Sequence, residues 1–373
     1  MADPIEILNR AFQRASTNLE QSLINDSEIR DRTIYVARNL KNRAGVRLLM
    51  ACLLAKLHRP EVDLRKPYTE IGGSDSFSGR TYDERYITSF INQYNLPCNN
   101  TTAFLTPALR NRNVTLTPEI NLVGKPPQLY QAVLTLLDDT YQGRVAPEDL
   151  LAEIVRSLLI DRNERQQRID ALVSELQTTD DAVPLSSEEI VNLIEKHLSL
   201  KGTSRLPVLA IAAAYQSAEE FLGEKILTLQ SHNAADLQTG ALGDVEITLL
   251  ADDEIVTSYE MKNKRVTRED IDRALQKLAA SSRRIDNYIF ITTESIDAEV
   301  QDYARSLYQE TGGIEFVILD CIGFIRHFLH LFHRLRSRFL EAYQALLLAE
   351  SQSAVSQPVK EAFLAMRQAA ETG

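Results

Sequence analysis

Three cysteines occur in 373 residues, Cys52, Cys98 and Cys321, far apart in the chain and in no Cys-x-x-Cys pairing. That scarcity argues against a disulfide-stapled scaffold and points to a reducing cytoplasm. Long apolar runs are also missing. The longest, around Leu48 to Leu57 and Pro207 to Tyr215, are far too short to span a bilayer, so a soluble protein with no membrane partner is expected. The opening residues carry Asp3 and Glu6 and lack a basic segment followed by an apolar one, so a secretory signal is not expected. No phosphate loop is found, because Lys201-Gly202-Thr203 runs in the wrong order, and an ATP-driven motor is not expected.

What is present describes a folded chain. Charged residues at 25% and hydrophobic residues at 44% are globular values, and the length allows two domains that each bury a core. The net charge of -11 argues against indiscriminate coating of nucleic acid, yet local patches matter more than the sum. From Ser258 to Ile285 there are eight Lys or Arg against four Asp or Glu, a basic island in an acidic chain.

Along the chain, Asp3 and Pro4 open a helix, a second covers Ser27 to Leu40, and Val46 to Leu57 is apolar enough to be a helix buried on most of its circumference. A stretch rich in Pro, Gly, Ser, Thr and Asn then runs to Pro127 with one helical insert near Tyr82 to Tyr94. Aromatics and cations interleave its turn residues, which favours an ordered loop region. Helices resume at Gln128 to Asp138, Pro147 to Leu159 and Glu164 to Leu176, and Thr178 to Pro184 reads as a linker. Ser186 or Ser187 caps a further helix, and Pro207 to Leu229 forms a long one. The pattern then alternates: strands Asp244 to Leu250 and Ile255 to Lys262, helix Arg268 to Ser281, strand Tyr288 to Thr292, helix Ile296 to Tyr308, strand Ile314 to Leu319, helix Ile322 to Leu348. The expected fold class is α/β, α+β overall, with a mixed central sheet flanked by helices. The expected division is a helical, loop-rich region over 1–184, a catalytic domain over 185–350 and a frayed tail over 351–373.

The residues that carry chemistry lie on the first two strands. Residues alternate across a strand, so Glu260 and Lys262 share a face, and a hairpin through Ala251 to Glu254 can bring Asp244 beside them. Two hard oxygen ligands of this kind suit Mg²⁺, which keeps several waters and takes one or two protein carboxylates plus substrate phosphate. The implied chemistry is phosphodiester hydrolysis. Alone, the same residues read more readily as the solvated face of a hairpin. Their setting adds weight: a long helix precedes them, and the following basic helix has Thr267 as its N-cap, with free amides able to face phosphate.

This block resembles the PD-(D/E)XK nuclease superfamily, whose core places an Asp and a Glu-x-Lys on neighbouring strands. Gly243 stands where the family pattern has Pro. The resemblance implies Asp244, Glu260 and the backbone carbonyl of Met261 as metal ligands, with Lys262 orienting or activating the attacking water. It also offers Glu220, on the preceding helix, as a further ligand; the alternative is a solvated helix face. Lys264, two residues on, could replace Lys262 or bind a neighbouring phosphate. A second resemblance lies upstream, where Ile71-Gly72-Gly73-Ser74-Asp75 through Glu84 and Asn100-Thr101-Thr102 through Arg110 are similar to type II restriction endonucleases, in the group that contains SacI. Gly, Ser and Asn amides approach phosphates closely, and Arg and Asn side chains make bidentate contacts with guanine and adenine. Arg65, Lys66, Arg80, Arg85, Asn100, Arg110 and Arg112, with Lys264, are therefore the candidates for contact with DNA. A structural loop held by Asx and Ser turns is the plainer alternative.

Other candidates carry less. His327, His330 and His333 recur every third residue, but with Phe328, Leu331 and Phe332 between them a packed or surface helix is expected, and His232 reads as a loop histidine. The expectation is a Mg²⁺-dependent, sequence-specific double-stranded DNA endonuclease that acts as a homodimer, because a short palindromic site is two-fold symmetric. The alternatives are a structure-specific repair or junction nuclease, and an inactive DNA-binding module with a nuclease fold.

Overall fold

The computed structural model describes residues 3–39, 42–99, 102–177, 183–229, 241–251, 254–281, 283 and 285–372. The chain is α+β and mostly helical. It divides into two compact units, Met1–Arg168 and Ile169–Gly373, with the division falling inside a helix. Among the described residues no helix is long and apolar enough to cross a membrane.

In the first unit, α1 (Pro4–Thr17), α2 (Ser27–Ala37) and α3 (Ala44–His58) precede the loop region. Every residue of α3 from Ala44 to Ala55 is buried, as its apolar composition requires, and this includes Arg47. The helical insert is one continuous run: α4 (Gly79–Tyr82), a π turn over Asp83–Ile87, and α5 (Thr88–Gln93). The π turn has a cause. The Thr88 hydroxyl donates to the Asp83 carbonyl at 3.1 Å, and the Arg47 guanidinium donates to that hydroxyl at 2.7 Å. Side-chain groups inserted into a helical ladder widen it.

Arg47 and Asp83, both fully buried, pair at 2.7 Å, and the other Asp83 oxygen accepts from the Thr102 hydroxyl and the Ala103 N–H, each at 2.6 Å. One buried carboxylate thus ties α3 to the loop after residue 101. Backbone bonds from Phe77 to Lys66 and from Leu116 to Arg65 fix the rest, so the described residues between 59 and 127 form an ordered region. Next come α6 (Pro127–Tyr141) and α7 (Pro147–Gln177), whose residues from Ile169 on belong to the second unit. The two helices expected over 147–159 and 164–176 are a single helix, because no Gly or Pro lies between them and Asp161 bonds forward to Arg165 at 2.9 Å.

The second unit continues with α8 (Ser187–Leu198), which carries a capping box between Ser186 and Glu189, and α9 (Leu206–Leu222). The helix expected to reach Leu229 stops earlier, because Gly223 adopts φ 69° and caps it, and a short strand, β1 (Glu224–Ile226), follows. Next come β2 (Val245–Leu249), β3 (Ile255–Lys262), α10 (Arg268–Ala280), β4 (Asn287–Thr292), α11 (Ala298–Glu310) and β5 (Glu315–Asp320). The five strands form one mixed sheet in chain order, antiparallel from β1 to β3 and parallel from β3 to β5. One face, with Val245, Ile247, Tyr259 and Ile291, packs in the core that holds α8 and α9; the other, with Tyr288, Phe290, Phe316 and Ile318, packs on α10 and α11.

The last expected helix breaks at Phe332 into α12 (Cys321–Leu331) and α13 (Arg336–Ala349). The expected frayed tail is instead α14 (Gln357–Thr372). Val359, Phe363 and Leu364 bury against the α8 and α13 core, an apolar stripe that the polar residues around it obscure. The linker expected over 178–184 lies outside the described residues as far as 182.

Candidate active site

Asp244 stands one residue before β2, and Gly243 decides how closely its segment approaches β3. A Cβ at position 243 would lie 2.5 Å from the Tyr259 carbonyl oxygen and 2.5 Å from Ser258 Oγ, inside any real contact distance. Position 243 therefore has no room for a side chain. With the backbones this close, the Asp244 N–H donates to the Tyr259 carbonyl at 2.7 Å, and Asp244 Oδ2 accepts the Met261 N–H at 2.7 Å. The carboxylate completes the ladder at the point where the strand pairing ends.

The register sets the faces. Glu246 pairs with Ser258 across the antiparallel β2–β3 ladder, and side chains alternate, so Asp244, Glu246, Ser258, Glu260 and Lys262 share one side. In the parallel β3–β4 pair Ser258 lies beside Tyr288 and Glu260 beside Phe290, which identifies that side as the one covered by α10 and α11. The structure thus brings Asp244, Glu260 and Lys262 together on one face.

Lys262 Nζ lies 2.5 Å from Glu260 Oε1 and 3.5 Å from Asp270 Oδ1. Asp270, in the first turn of α10, has a fully buried side chain, and its Oδ1 also meets Arg273 at 2.6 Å and Lys264 at 3.5 Å. Burial is the largest influence on the Asp270 carboxyl and acts to raise its pKa, but the Thr267 hydrogen bonds and the Lys262 and Lys264 charges outweigh it and hold the group below its ordinary value. Three cations therefore converge on one ionised carboxylate beside the strand. Glu260 Oε2 lies 3.5 Å from Lys277 Nζ and accepts from the Tyr288 hydroxyl. Sequence reasoning did not single out Asp270, Lys277 or Tyr288. The Thr267-x-x-Asp270 spacing was a readable signal for Asp270, since an acid three residues after a Thr cap closes a capping box, as observed.

Asp244 and Glu260 each present carboxylate oxygens. Among the described residues no three His, Cys, Asp or Glu side chains gather at metal-holding spacing. Carboxylate oxygens are ligands of the hard kind, suited to a cation that keeps much of its water. Glu220 is exposed near the end of α9 and is not gathered with the pair.

The candidate DNA contacts fall into distinct environments. Arg65 is bound within the first unit, with its guanidinium 3.0 Å from Asp63, 3.2 Å from Asp138 and 3.3 Å over the Tyr141 ring. Lys66 pairs with Asp75 at 2.6 Å, and Arg112 donates to the Ala108 carbonyl at 3.0 Å. Arg80 and Arg110 are exposed and line a cleft of about 260 Å³ with Thr69, Glu70, Asn111 and Asn113; Arg80 also pairs with Glu84 at 2.7 Å. Arg85 is exposed, 5.4 Å from the Tyr86 ring, and Lys264 is 61% exposed. Asn100 and His232 lie outside the described residues. Of the helical histidines, His330 pairs with Glu188 at 2.7 Å, a surface contact.

Residues 183–294 match the family described as the SacI restriction endonuclease C-terminal domain. That span is under a third of the chain and contains Asp244, Glu260, Lys262, Asp270, Lys277 and Tyr288. The match bears out the resemblance to SacI-like type II restriction endonucleases. No curated protein matches the chain.

Proposed function

From a segment similar to a restriction-endonuclease domain, we propose that this chain is a Mg²⁺-dependent, sequence-specific double-stranded DNA endonuclease of the type II kind with a PD-(D/E)XK core. The supporting observation is the meeting, on one sheet face, of Asp244 bonded to the Met261 N–H and Glu260 paired with Lys262 at 2.5 Å. Asp244, Glu260 and the Met261 carbonyl would hold the ion. When bound, Mg²⁺ supplies positive charge at the scissile phosphate and a water of lowered pKa.

The remaining work belongs to the chain's own side chains. Lys262 donates hydrogen bonds to the attacking water or to a phosphate oxygen and offsets the charge that builds on the pentacovalent phosphate. Its second tie, to Asp270 at 3.5 Å, keeps the ammonium on the reacting face. Lys264 and Arg273, each 61% exposed on that same carboxylate, offer cations to neighbouring backbone phosphates. Arg80 and Arg110, beside Asn111 and Asn113, have the donor types that read guanine and adenine edges. A palindromic site has two-fold symmetry and each protomer cuts one strand, so the acting form is a homodimer, with no need of ATP.

Incubating the purified protein with supercoiled plasmid and Mg²⁺ tests this reading. Discrete linear fragments with one common end sequence are expected, and Lys262→Ala should remove cutting while leaving DNA retention in a gel largely intact. Nicking confined to junctions or damaged sites would instead indicate a repair nuclease, and a bound but uncut plasmid an inactive module. Undiminished cutting by Lys262→Ala would move the amine's role to Lys264.

A further inference from the structure

We propose that Tyr288 is a positioning residue that sets the spacing between Asp244 and Glu260, and with it the fit of the pair to a divalent cation. The inference rests on the active-site reading above. Tyr288 lies on β4 beside Ser258 and is fully buried. Its ring is held by packing, stacked on Phe316 at 5.6 Å between centroids and tilted against Phe290 at 5.2 Å. The direction of its hydroxyl is therefore set by the core and not by the site it serves.

That hydroxyl faces acceptors on two separate segments. One is the Leu242 carbonyl, at 2.9 Å; the other is Glu260 Oε2. A phenol carries one proton and donates to one acceptor at a time, so a single oxygen acts as the stop against which both segments rest. Leu242 is two residues from Asp244, and between them stands Gly243, pressed against the Tyr259 carbonyl with no room for a Cβ. The path from hydroxyl to Asp244 is thus short and stiff. Glu260 is the other jaw: Lys262 and Lys277 approach its two oxygens at 2.5 Å and 3.5 Å, and loss of the hydroxyl removes the contact that holds its carboxylate against their pull. Partners of this kind, bonded to a ligand and not to the ion, govern metal affinity by about 10–100-fold.

The test is Mn²⁺ binding by the full-length protein, followed by the loss of the free-ion electron paramagnetic resonance signal, for wild type, Tyr288→Phe and Asp244→Asn. Tyr288→Phe keeps the ring and its stacking, so its melting temperature should stay near wild type. We expect its Mn²⁺ affinity to fall about tenfold or more. The Mg²⁺ concentration for half-maximal plasmid cleavage should rise in step, with the rate recovering at high Mg²⁺. Phe316→Leu, which removes one wall of the ring's slot and keeps the hydroxyl, should shift affinity in the same direction by less. A purely structural role would lower the melting temperature or the maximal rate and leave the metal midpoint in place. Unchanged Mn²⁺ affinity in Tyr288→Phe, alongside lost binding in Asp244→Asn, would overturn the positioning role and leave the active-site reading standing. Absence of Mn²⁺ binding by the wild type would overturn both.

Discussion

At the scale of single residues, the site depends on an atom that is missing. Gly243 lets Asp244 reach the Met261 N–H because no Cβ intervenes, and a methyl group placed there would meet a backbone oxygen, which cannot swing aside as a side chain can. Gly243→Ala should therefore cost about 1–3 kcal/mol of stability through overpacking. It should also lower plasmid cleavage by about 100-fold, since displacement of a reacting group by about 1 Å costs that much. Wild-type cleavage by Gly243→Ala would show that the close approach is not needed. At this scale the sequence was readable where partners are neighbours. Glu260 and Lys262 are two apart on one strand, so their shared face follows from alternation alone. Tyr288 and Lys277 were not readable, because their contacts with Glu260 span 28 and 17 residues and depend on how β4 and α10 pack. Arg65 shows the converse: as a letter in a basic, aromatic stretch it suggests DNA, while its guanidinium is shared between Asp63, Asp138 and the Tyr141 ring.

At the scale of elements, β3, α10 and β4 were legible almost to the residue, since each combines a clear period with a Thr cap or turn residues at its ends. The misses share one cause, that local pattern does not see the partner. Gly223 ended α9 at Leu222, seven residues before the expected Leu229, and α14 was concealed by polar flanks although its apolar stripe completes a core. The packing of α14 also makes a prediction. His197 on α8 bonds the Tyr343 hydroxyl of α13 at 3.0 Å and the Val359 carbonyl of α14 at 3.0 Å, and burial pushes its pKa down from 6.5 to about 4. A histidine kept neutral in the fold binds fewer protons than the unfolded chain between those values. Its contribution to stability is therefore complete above pH 6.5 and is lost as pH falls from 6.5 toward 4, at up to about 1.4 kcal/mol per pH unit. Urea midpoints measured at pH 7 and pH 5 should differ more in wild type than in His197→Gln, which retains hydrogen-bonding groups without titrating. Equal differences in the two proteins would assign the acid sensitivity elsewhere.

At the scale of the whole molecule, a net charge of -11 would on its own discourage a reading in terms of DNA. The charge is unevenly placed: Lys262, Lys264 and Arg273 converge on the single buried Asp270 beside the strand that carries Glu260, and Lys264 and Arg273 stay 61% exposed, so cations face solvent beside the proposed site. The division into two compact units falls inside α7, which runs through it without a turn residue. Titrating Mg²⁺ into a supercoiled-plasmid assay with wild type, Asp244→Asn and Glu260→Gln, each checked for folding and for DNA retention, is the most direct test of a metal site built on these two carboxylates. Such a site predicts Mg²⁺-dependent discrete cleavage by the wild type, and at least about 100-fold less by either variant at any Mg²⁺ concentration, with retention of DNA preserved. Cleavage by both variants at the wild-type rate would contradict it.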